Sequence, residues 1–127
     1  MSSSKAGSDV SGSKPARLEI RFTVAARRDI DEITDWTRIE FGATAAERYL
    51  ALFRQAFNDL VVDPELLGAR FRPDLGQDIF CYHLRSSRDR APSLVRNPRH
   101  FILYRLRGRI VRVIRILHDS RDLSRHV

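Results

Sequence analysis

The patterned part of the chain begins with a two-residue alternation of apolar and charged side chains. Over Arg17 to Phe22, the apolar residues fall on one face and the charged residues on the other, which predicts a half-buried strand. The period then becomes helical, with Thr23 placed to cap the start of the helix and Gly42 placed to end it. The buried side of this helix is expected to carry Ala26, Ile30, Ile33 and Thr37, with Trp36 beside them.

The next segment has the strongest amphipathic pattern in the chain. Thr44 and Glu47 have the spacing of a capping box, and Pro64 is expected to stop the helix because its ring clashes with the preceding turn. The link between the two helices is very short, so we expect an antiparallel helix hairpin. The apolar stripe of the second helix consists of Tyr49, Leu50, Phe53, Phe57, Leu60 and Val61.

The remainder of the chain alternates between loops and strands. Residues 66–77 are expected to form a loop, residues 78–85 a strand, and residues 86–98 a long basic excursion between strands. Two strong strands follow, over residues 100–106 and 109–117, and they are joined at Arg107-Gly108. The element order is therefore β-α-α-β-β-β, which predicts an α+β domain with a helix hairpin packed on an antiparallel sheet.

Domain boundaries follow from the composition of the first residues. Residues 1–16 are rich in Ser, Gly and Lys and lack apolar periodicity, so we expect a disordered N-terminal tail. Residues 17–127 are long enough for one domain with a modest core. We found neither an apolar stretch of the ~20 residues of a membrane span nor a secretory signal. A cytoplasmic protein without membrane contacts is therefore expected.

The final hairpin is apolar on both faces. With a turn at Arg107-Gly108, Tyr104 would pair with Val111 and Ile102 with Val113. Only one face can pack on the helices, so either the chain's own tail or a partner should cover the other. The two faces are His100, Ile102, Tyr104, Leu106, Val111, Val113, Arg115 and Leu117, and Arg99, Phe101, Leu103, Arg105, Ile110, Arg112, Ile114 and Ile116.

Charge is distributed unevenly over a chain with a net charge of +7. Residues 24–65 carry a net charge of −4, whereas residues 85–127 carry +9, with every cation of the latter segment an arginine. This polarity favours a working face on the sheet side that binds an anionic partner, because arginine suits planar or phosphate groups. A solvated edge strand protected by charge is the alternative explanation.

The remaining chemistry is sparse. Cys81 is the only cysteine, so no internal disulfide is possible, and we expect its side chain to act as a small buried hydrophobe. The histidines lack the close spacing of a metal site, and the sequence contains no phosphate-binding glycine loop or nucleophile motif. We therefore expect neither a metal nor a cofactor.

Five segments, in this order, carry a resemblance to a known family. They are residues 29–36, 45–49, 101–105 and 114–118, followed by the Ser-Arg-Asp run at 120–122. With them, roughly residues 17–124 resemble RelE/ParE-type toxins of bacterial type II toxin–antitoxin systems. The strand at residues 101–105 and the ending formed by residues 114–118 and 120–122 are the more specific, and the ending is similar to that of the ParE branch.

The resemblance implies a toxin that a cognate antitoxin keeps silent. The antitoxin is expected to be ParD-like, with a ribbon-helix-helix part that binds operator DNA and a C-terminal segment that wraps the toxin. The toxin would then meet operator DNA only through the antitoxin. ParE-like members poison DNA gyrase without being known as nucleases, whereas RelE-like members cut mRNA on the ribosome.

Three departures from the RelE-like pattern favour a non-enzymatic ParE-like toxin. The strand at residues 79–85 has no lysine, Phe101 stands where RelE-like enzymes have an arginine, and Ser124 stands where they have a tyrosine. A ribonuclease remains the alternative, and a non-toxic corepressor that only binds the antitoxin is a third possibility. A substitute catalytic set would be His83, Arg85, Arg99, His118 and Arg121.

The resemblance also suggests two groups of binding residues. The target-binding residues that toxicity requires are expected to be Arg99, Arg115, His118, Arg121 and Asp122. The doubly apolar hairpin is expected to bind the antitoxin through Phe101, Leu103, Arg105, Arg112 and Ile114. Either Arg121→Ala or truncation after Leu117 should lower toxicity while leaving the fold largely intact.

Overall fold

The computed structural model describes residues 18–90 and 95–125, without the side chains at positions 90 and 124. The expected N-terminal tail, residues 1–16, lies outside this part, as do residues 91–94 of the basic excursion. The helices and strands are β1 (Glu19–Phe22), α1 (Val24–Phe41), α2 (Ala43–Val62), β2 (Ala69–Phe71), β3 (Ile79–His83), β4 (His100–Arg107) and β5 (Ile110–His118).

The start of α1 ties the helix pair to the sheet. The Thr23 hydroxyl accepts the Ala26 amide at 3.0 Å and donates to the Ile114 carbonyl at 2.7 Å, so the predicted cap also contacts β5. Gly42, with φ of 95°, ends α1 and is the single residue before α2. The capping box expected at Thr44 was wrong, because α2 starts at Ala43 and Gly42 offers no side chain at the cap.

The sheet has five strands in the order β1-β5-β4-β3-β2. β1 runs parallel to β5, and all other neighbours are antiparallel, so the sheet is mixed rather than antiparallel throughout. The additional strand, β2, lies in the segment expected to be a loop. It has three residues, too few to show an alternation, and it pairs with residues 80–82 of β3.

The main core lies between α2 and one face of the sheet. Leu52, Phe53, Ala56 and Leu60 of α2 are at most 1% exposed, and they pack against the central strands β3 to β5. The sheet residues of this core are Tyr82, Ile102, Tyr104, Val111, Val113 and Ile116.

Among the described residues, no helix combines the length and the hydropathy that a membrane span requires.

The final hairpin differs from its predicted register. The turn expected at Arg107-Gly108 was wrong: Arg107 pairs with Ile110, so the turn residues are Gly108, with a φ of 58°, and Arg109. Tyr104 therefore pairs with Val113 rather than with Val111. A shift of two residues alone keeps every side chain on its face. A bulge at Leu103/Tyr104 then exchanges the faces, so Ile102 pairs with Ile116 instead of Val113. As a result, Ile116 joins the core on the helix side and Leu117 turns to the opposite face.

The second apolar face is covered by the chain itself. Cys81, Leu103 and Leu117 form a buried cluster with Leu123, which lies in a 3₁₀ turn at residues 123–125. Leu75, from another 3₁₀ turn, packs against the same cluster. Of the two covers expected for this face, the chain's own tail is therefore present, and the burial expected for Cys81 is confirmed.

Candidate functional site at the end of the last strand

Asp119, the first residue after β5, joins three segments of the chain. Its carboxylate accepts hydrogen bonds from Arg99 Nε at 3.0 Å and Arg99 Nη2 at 2.8 Å, and contacts His83 Nε2 at 3.0 Å. Its backbone N–H also donates to the Arg99 carbonyl at 2.8 Å. The hydrogen bond from Arg99 and that from His83 hold the pKa of Asp119 far below its usual range. Asp119 is therefore a permanent anion that holds the C-terminal segment on the sheet.

The bonds of His83 fix its protonation state. Its side chain is 4% exposed, and its Nδ1 atom accepts the backbone N–H of Arg85 at 3.1 Å. Because an amide N–H can only donate, Nδ1 carries no proton, and Nε2 carries the hydrogen that bonds to Asp119. Burial lowers the pKa of His83, although Asp119 opposes this shift. The ring is therefore a neutral donor at pH 7.

A second hydrogen-bond chain lies beside the first. The Tyr49 hydroxyl accepts the backbone N–H of Arg99 at 3.1 Å and contacts His100 Nδ1 at 2.6 Å, where it donates to a neutral ring. Burial raises the pKa of Tyr49 to about 12. Burial, together with the smaller effect of the nearby His118 charge, lowers the pKa of His100 to about 4. Tyr49 thus links α2 to the start of β4.

The exposed part of the site consists of His118 and the residues that follow it. His118 Nδ1 accepts the Ser120 amide at 3.1 Å, so in the neutral ring Nε2 carries the hydrogen. Arg121 is exposed, and its backbone N–H donates to the His118 carbonyl at 3.0 Å. Asp122 is exposed and lies 3.7 Å from Arg125. Across the described ranges, no group of three His, Cys, Asp or Glu residues is arranged to bind a metal.

Two clefts meet at this site. The smaller cleft, of about 160 Å³, is lined by Asp29, Arg115, His118 and Arg121, among others. The larger cleft, of about 790 Å³, runs from the C-terminal half of α1 to the same His118 and Arg121. The side chains that bound the larger cleft include Trp36, Phe41, Arg48, Arg99 and His100.

Three of the five expected target-binding residues line the larger cleft, whereas Arg115 and Asp122 do not. Arg99, His118 and Arg121 lie together along the larger cleft. Arg115 instead binds the Asp29 carboxylate through Nε at 2.7 Å and Nη2 at 3.1 Å, and this hydrogen bond raises the pKa of Arg115. Asp29 also accepts the backbone N–H of residue 116 at 2.9 Å, so this pair fastens β5 to α1. Target binding by Arg115 remains a prediction.

The substitute catalytic set is brought together only in part. Asp119 contacts His83 and Arg99 directly and lies 3.7 Å from His118 Nδ1. The described contact of Arg85 with this group is made by its backbone, and its side chain is exposed. The set therefore has a common carboxylate, but one of its histidines is buried and engaged.

The residues expected to bind the antitoxin differ in accessibility. Leu103 is 0% exposed beneath the chain's own C-terminal turn, whereas Phe101 and Ile114 are half-buried and Arg112 is exposed. Arg105 donates from Nε to the residue-77 carbonyl at 2.9 Å. Their role remains a prediction, and direct contact with Leu103 would require movement of that turn.

Several important residues did not emerge from the sequence. Asp119, Tyr49 and His100 were not expected in a shared network, because their contacts join residues far apart in the chain. Trp36 was expected in the core but is 56% exposed, and its ring meets that of Phe41 edge to face at 5.6 Å. The helical spacing puts Trp36 beside the apolar stripe of α1 rather than within it. This position was the one sign in the sequence that its side chain could face solvent.

The arrangement of a helix pair against a mixed five-stranded sheet is also present in solved structures. The fold is similar to a chain of the chromosomal ParDE toxin–antitoxin system from P. aeruginosa, with a TM-score of 0.58 and 16% identity over 80% of this chain and 96% of that one. It is also similar to a chain of the RelBE2 toxin–antitoxin complex from Mycobacterium tuberculosis, with a TM-score of 0.51 and 24% identity over 81% and 99%.

The sequence itself identifies the family. Residues 20–123 match the profile described as the ParE toxin of the type II toxin–antitoxin system, parDE. This match covers most of the chain, so the chain belongs to the ParE toxin family. The match also confirms the expected resemblance. No curated protein sequence is significantly similar to it.

Proposed function

We propose that this ParE-family toxin stops growth in the cytoplasm by binding DNA gyrase, and that a ParD-like antitoxin neutralises it. The observation that carries the proposal is the exposed cationic ending, in which His118 and Arg121 lie beside Arg99. Asp119 holds Arg99 on the sheet, and the backbone N–H of Arg121 donates to the His118 carbonyl, so the backbone of this ending is held in place. Membership of the ParE family supports gyrase as the target.

The bonds within the site favour binding over catalysis. Cleavage of RNA requires a group that moves the 2′-hydroxyl proton and cations that stabilise the phosphate. His83 is buried, and both of its ring nitrogens are engaged. Arg99 is already bound to Asp119 through two nitrogens. His83 is therefore not presented for proton transfer, and the guanidinium of Arg99 is already occupied by a carboxylate rather than free for a phosphate.

A RelE-like ribonuclease is the second candidate because one observation favours it. His118 is half-exposed and shares a cleft with Arg121. Cleavage of a phosphodiester requires at least a group that moves a proton and a cation beside the phosphate, and these two residues could supply them. The structural similarity to a RelBE2 chain is consistent with this alternative. The two candidates use the same surface, so a residue deletion alone does not separate them.

The antitoxin is expected to carry the contact with operator DNA. The helical half of this toxin has a net charge of −4 over residues 24–65, which disfavours a duplex lying across it. A ribbon-helix-helix antitoxin would supply the DNA-binding part, and the toxin would reach the operator only within the complex. The partner of the toxin in this account is therefore a protein.

Induction of the toxin in cells that lack the antitoxin separates the candidates. We expect a DNA-damage response with gyrase-linked breaks, and we expect Arg121→Ala to reduce it at least tenfold at equal protein level. Arg54→Ala removes the same charge from the exposed face of α2 and should leave the response unchanged. Rapid translation arrest with cut mRNA would contradict the proposal, and normal growth would indicate a non-toxic corepressor.

A further inference from the structure

Three arginines lie side by side across the outer face of the sheet, which is the face turned away from the helix pair. Arg21 of β1 pairs with Arg112 of β5, and Arg112 pairs with Arg105 of β4. The two neighbours of each arginine along its strand pack in or against the main core, so alternation turns all three side chains outward. Because adjacent strands lie about 4.8 Å apart, this arginine row spans about 10 Å. The flanking core residues are Ile20, Phe22, Tyr104, Leu106, Val111 and Val113.

The arginine row presents cationic charge that the chain itself does not neutralise. Arg112 is exposed, and among the described residues no carboxylate forms an ion pair with Arg112 or Arg105. Arg105 donates from Nε to the residue-77 carbonyl at 2.9 Å, which orients its guanidinium. Arg21 pairs with Glu19 at 2.7 Å, but both side chains are more than half exposed. Solvent screens such a pair, so an anionic ligand can compete for Arg21.

The surroundings of the arginine row favour the phosphate backbone of a DNA duplex as its ligand. Toward the hairpin turn, the next outward positions are Glu19, Ile110 and Arg107, which pair with one another across the same three strands. On the other side of the row, Leu103 lies under the chain's own C-terminal turn. None of these four described residues is aromatic, so a protein partner would lack a central anchor and a single strand would lack a stacking platform. A duplex needs neither, because arginines bind its phosphates directly, and about 10 Å of its axis carries about six phosphate charges.

The position of the row also keeps a duplex away from the acidic half of the molecule. Residues 24–65, which contain both helices, carry a net charge of −4, and the helices pack on the other face of the sheet. Three arginine contacts correspond to weak binding that does not depend on base sequence. Recognition of operator DNA therefore stays with the antitoxin, and the row acts on DNA that is already close to the toxin.

We propose that the arginine row binds the phosphate backbone of duplex DNA, without sequence preference and separately from the C-terminal ending. Its role in the cell rests on the proposed function, because a toxin seated on gyrase lies beside the DNA that gyrase holds, and the row would contact that duplex. DNA binding by the toxin alone is measured without gyrase. A toxin that fails to act on gyrase can therefore still satisfy or fail this test.

The first test compares two double variants of the full-length toxin by fluorescence anisotropy of a short labelled DNA duplex. Arg105→Ala with Arg112→Ala should weaken binding at least tenfold and reduce the slope of log affinity against log salt by about 1.8, for two lost phosphate contacts. Arg28→Ala with Arg54→Ala removes the same charge from exposed positions on the two helices and should weaken binding less than threefold. Equal losses in the two variants would show that net charge alone attracts DNA, and would overturn the proposal.

A second matched pair tests for a gain of affinity. Glu19→Gln releases Arg21 from its ion pair and removes a negative charge beside the row, so it should tighten DNA binding at least twofold. Asp35→Asn makes the same charge change at an exposed ion pair on α1 and should leave the affinity almost unchanged. A gain in Glu19→Gln no larger than that in Asp35→Asn would contradict the role of the row.

Three further measurements separate backbone binding from other uses of the same face. Two duplexes of unrelated sequence should bind with affinities within twofold of each other, and a strong preference for one would contradict backbone recognition. Arg121→Ala should change DNA affinity less than threefold, and a loss as large as that of the Arg105/Arg112 double variant would assign DNA binding to the C-terminal ending instead. If that double variant kept its DNA affinity but lost affinity for the antitoxin, the row would be a protein contact and the proposal would be wrong. Circular dichroism of each variant checks that the toxin remains folded.

Discussion

Removal of the Asp119 carboxylate should loosen the C-terminal segment and lower toxicity together. In Asp119→Ala, the buried Nε2–H of His83 loses its acceptor, and Arg99 loses both of its hydrogen bonds to the carboxylate. We therefore expect the variant to be less stable than the wild type. We also expect a larger fractional loss of toxicity than of folded protein, because Arg99 would no longer be held at the site.

The magnitude follows from the buried contact. His83 is 4% exposed, so water cannot readily replace the carboxylate. A buried donor without an acceptor costs roughly 1–3 kcal/mol. This stability cost comes from His83 alone, because the guanidinium of Arg99 lies in solvent at the surface. For a domain of this size, each kcal/mol lowers Tm by roughly 4–8 °C, so the melting temperature should fall by roughly 10 °C.

Thermal melting and urea denaturation at pH 7 provide the measurements, with Asp35→Ala as the control. Asp35 has a 69% exposed side chain and forms a surface pair with Arg38 on α1, so its removal should cost less than about 0.5 kcal/mol. Asp119→Asn retains one acceptor oxygen and should fall between the wild type and Asp119→Ala. If Asp119→Ala destabilised the chain no more than Asp35→Ala does, the role assigned to Asp119 would be refuted.

Three further predictions test the surrounding structure. The folded pKa of His100 is about 4 against an ordinary 6.5, so the unfolded chain binds the proton first and stability should fall by roughly 3 kcal/mol as pH drops from 6.5 to 4. His100→Gln should flatten this part of a urea-derived stability curve, and an unchanged slope would exclude the assignment. Asp29→Ala should cost about 3 kcal/mol in urea denaturation, because the buried Ile116 amide loses its acceptor and Arg115 loses the hydrogen bonds that it donates to this carboxylate. A loss below 1 kcal/mol would argue against that link. Leu123→Ala should cost about 2 kcal/mol by thermal unfolding, because Leu123 covers the second apolar face. Truncation after Leu117 should cost more. An unchanged melting temperature of the truncated chain would show that the fold does not need the residues after Leu117.

The helices and long strands could be predicted because their apolar residues recur at a constant period. Thr23 and Gly42 also behave as their local chemistry indicates, since capping depends on the nearest few residues. β2 was missed because three residues carry no periodicity. The bulge at Leu103/Tyr104 was missed for a related reason: strict alternation is the assumption on which the faces were assigned, and one extra residue breaks it.

The site itself was predictable only in its outline. The charge of the segment and the family resemblance pointed to Arg99, His118 and Arg121, and these residues share a cleft. The sequence offered no signal that Asp119 would join residues from β3 and the start of β4. Nor did it offer any signal that Asp29, 86 positions earlier in the chain, would hold Arg115 against α1. Contacts of this kind depend on the register of the sheet, which the bulge changed.

Gyrase poisoning can be tested with the purified chain, purified DNA gyrase and plasmid DNA with ATP. We expect the toxin to trap cleaved DNA on gyrase, Arg121→Ala to lower the yield of cleaved DNA at least tenfold, and Arg54→Ala to match the wild type. Addition of the antitoxin should abolish the cleavage complexes. If gyrase works normally in the presence of the toxin, and the same toxin preparation cuts ribosome-bound mRNA, gyrase is not the target.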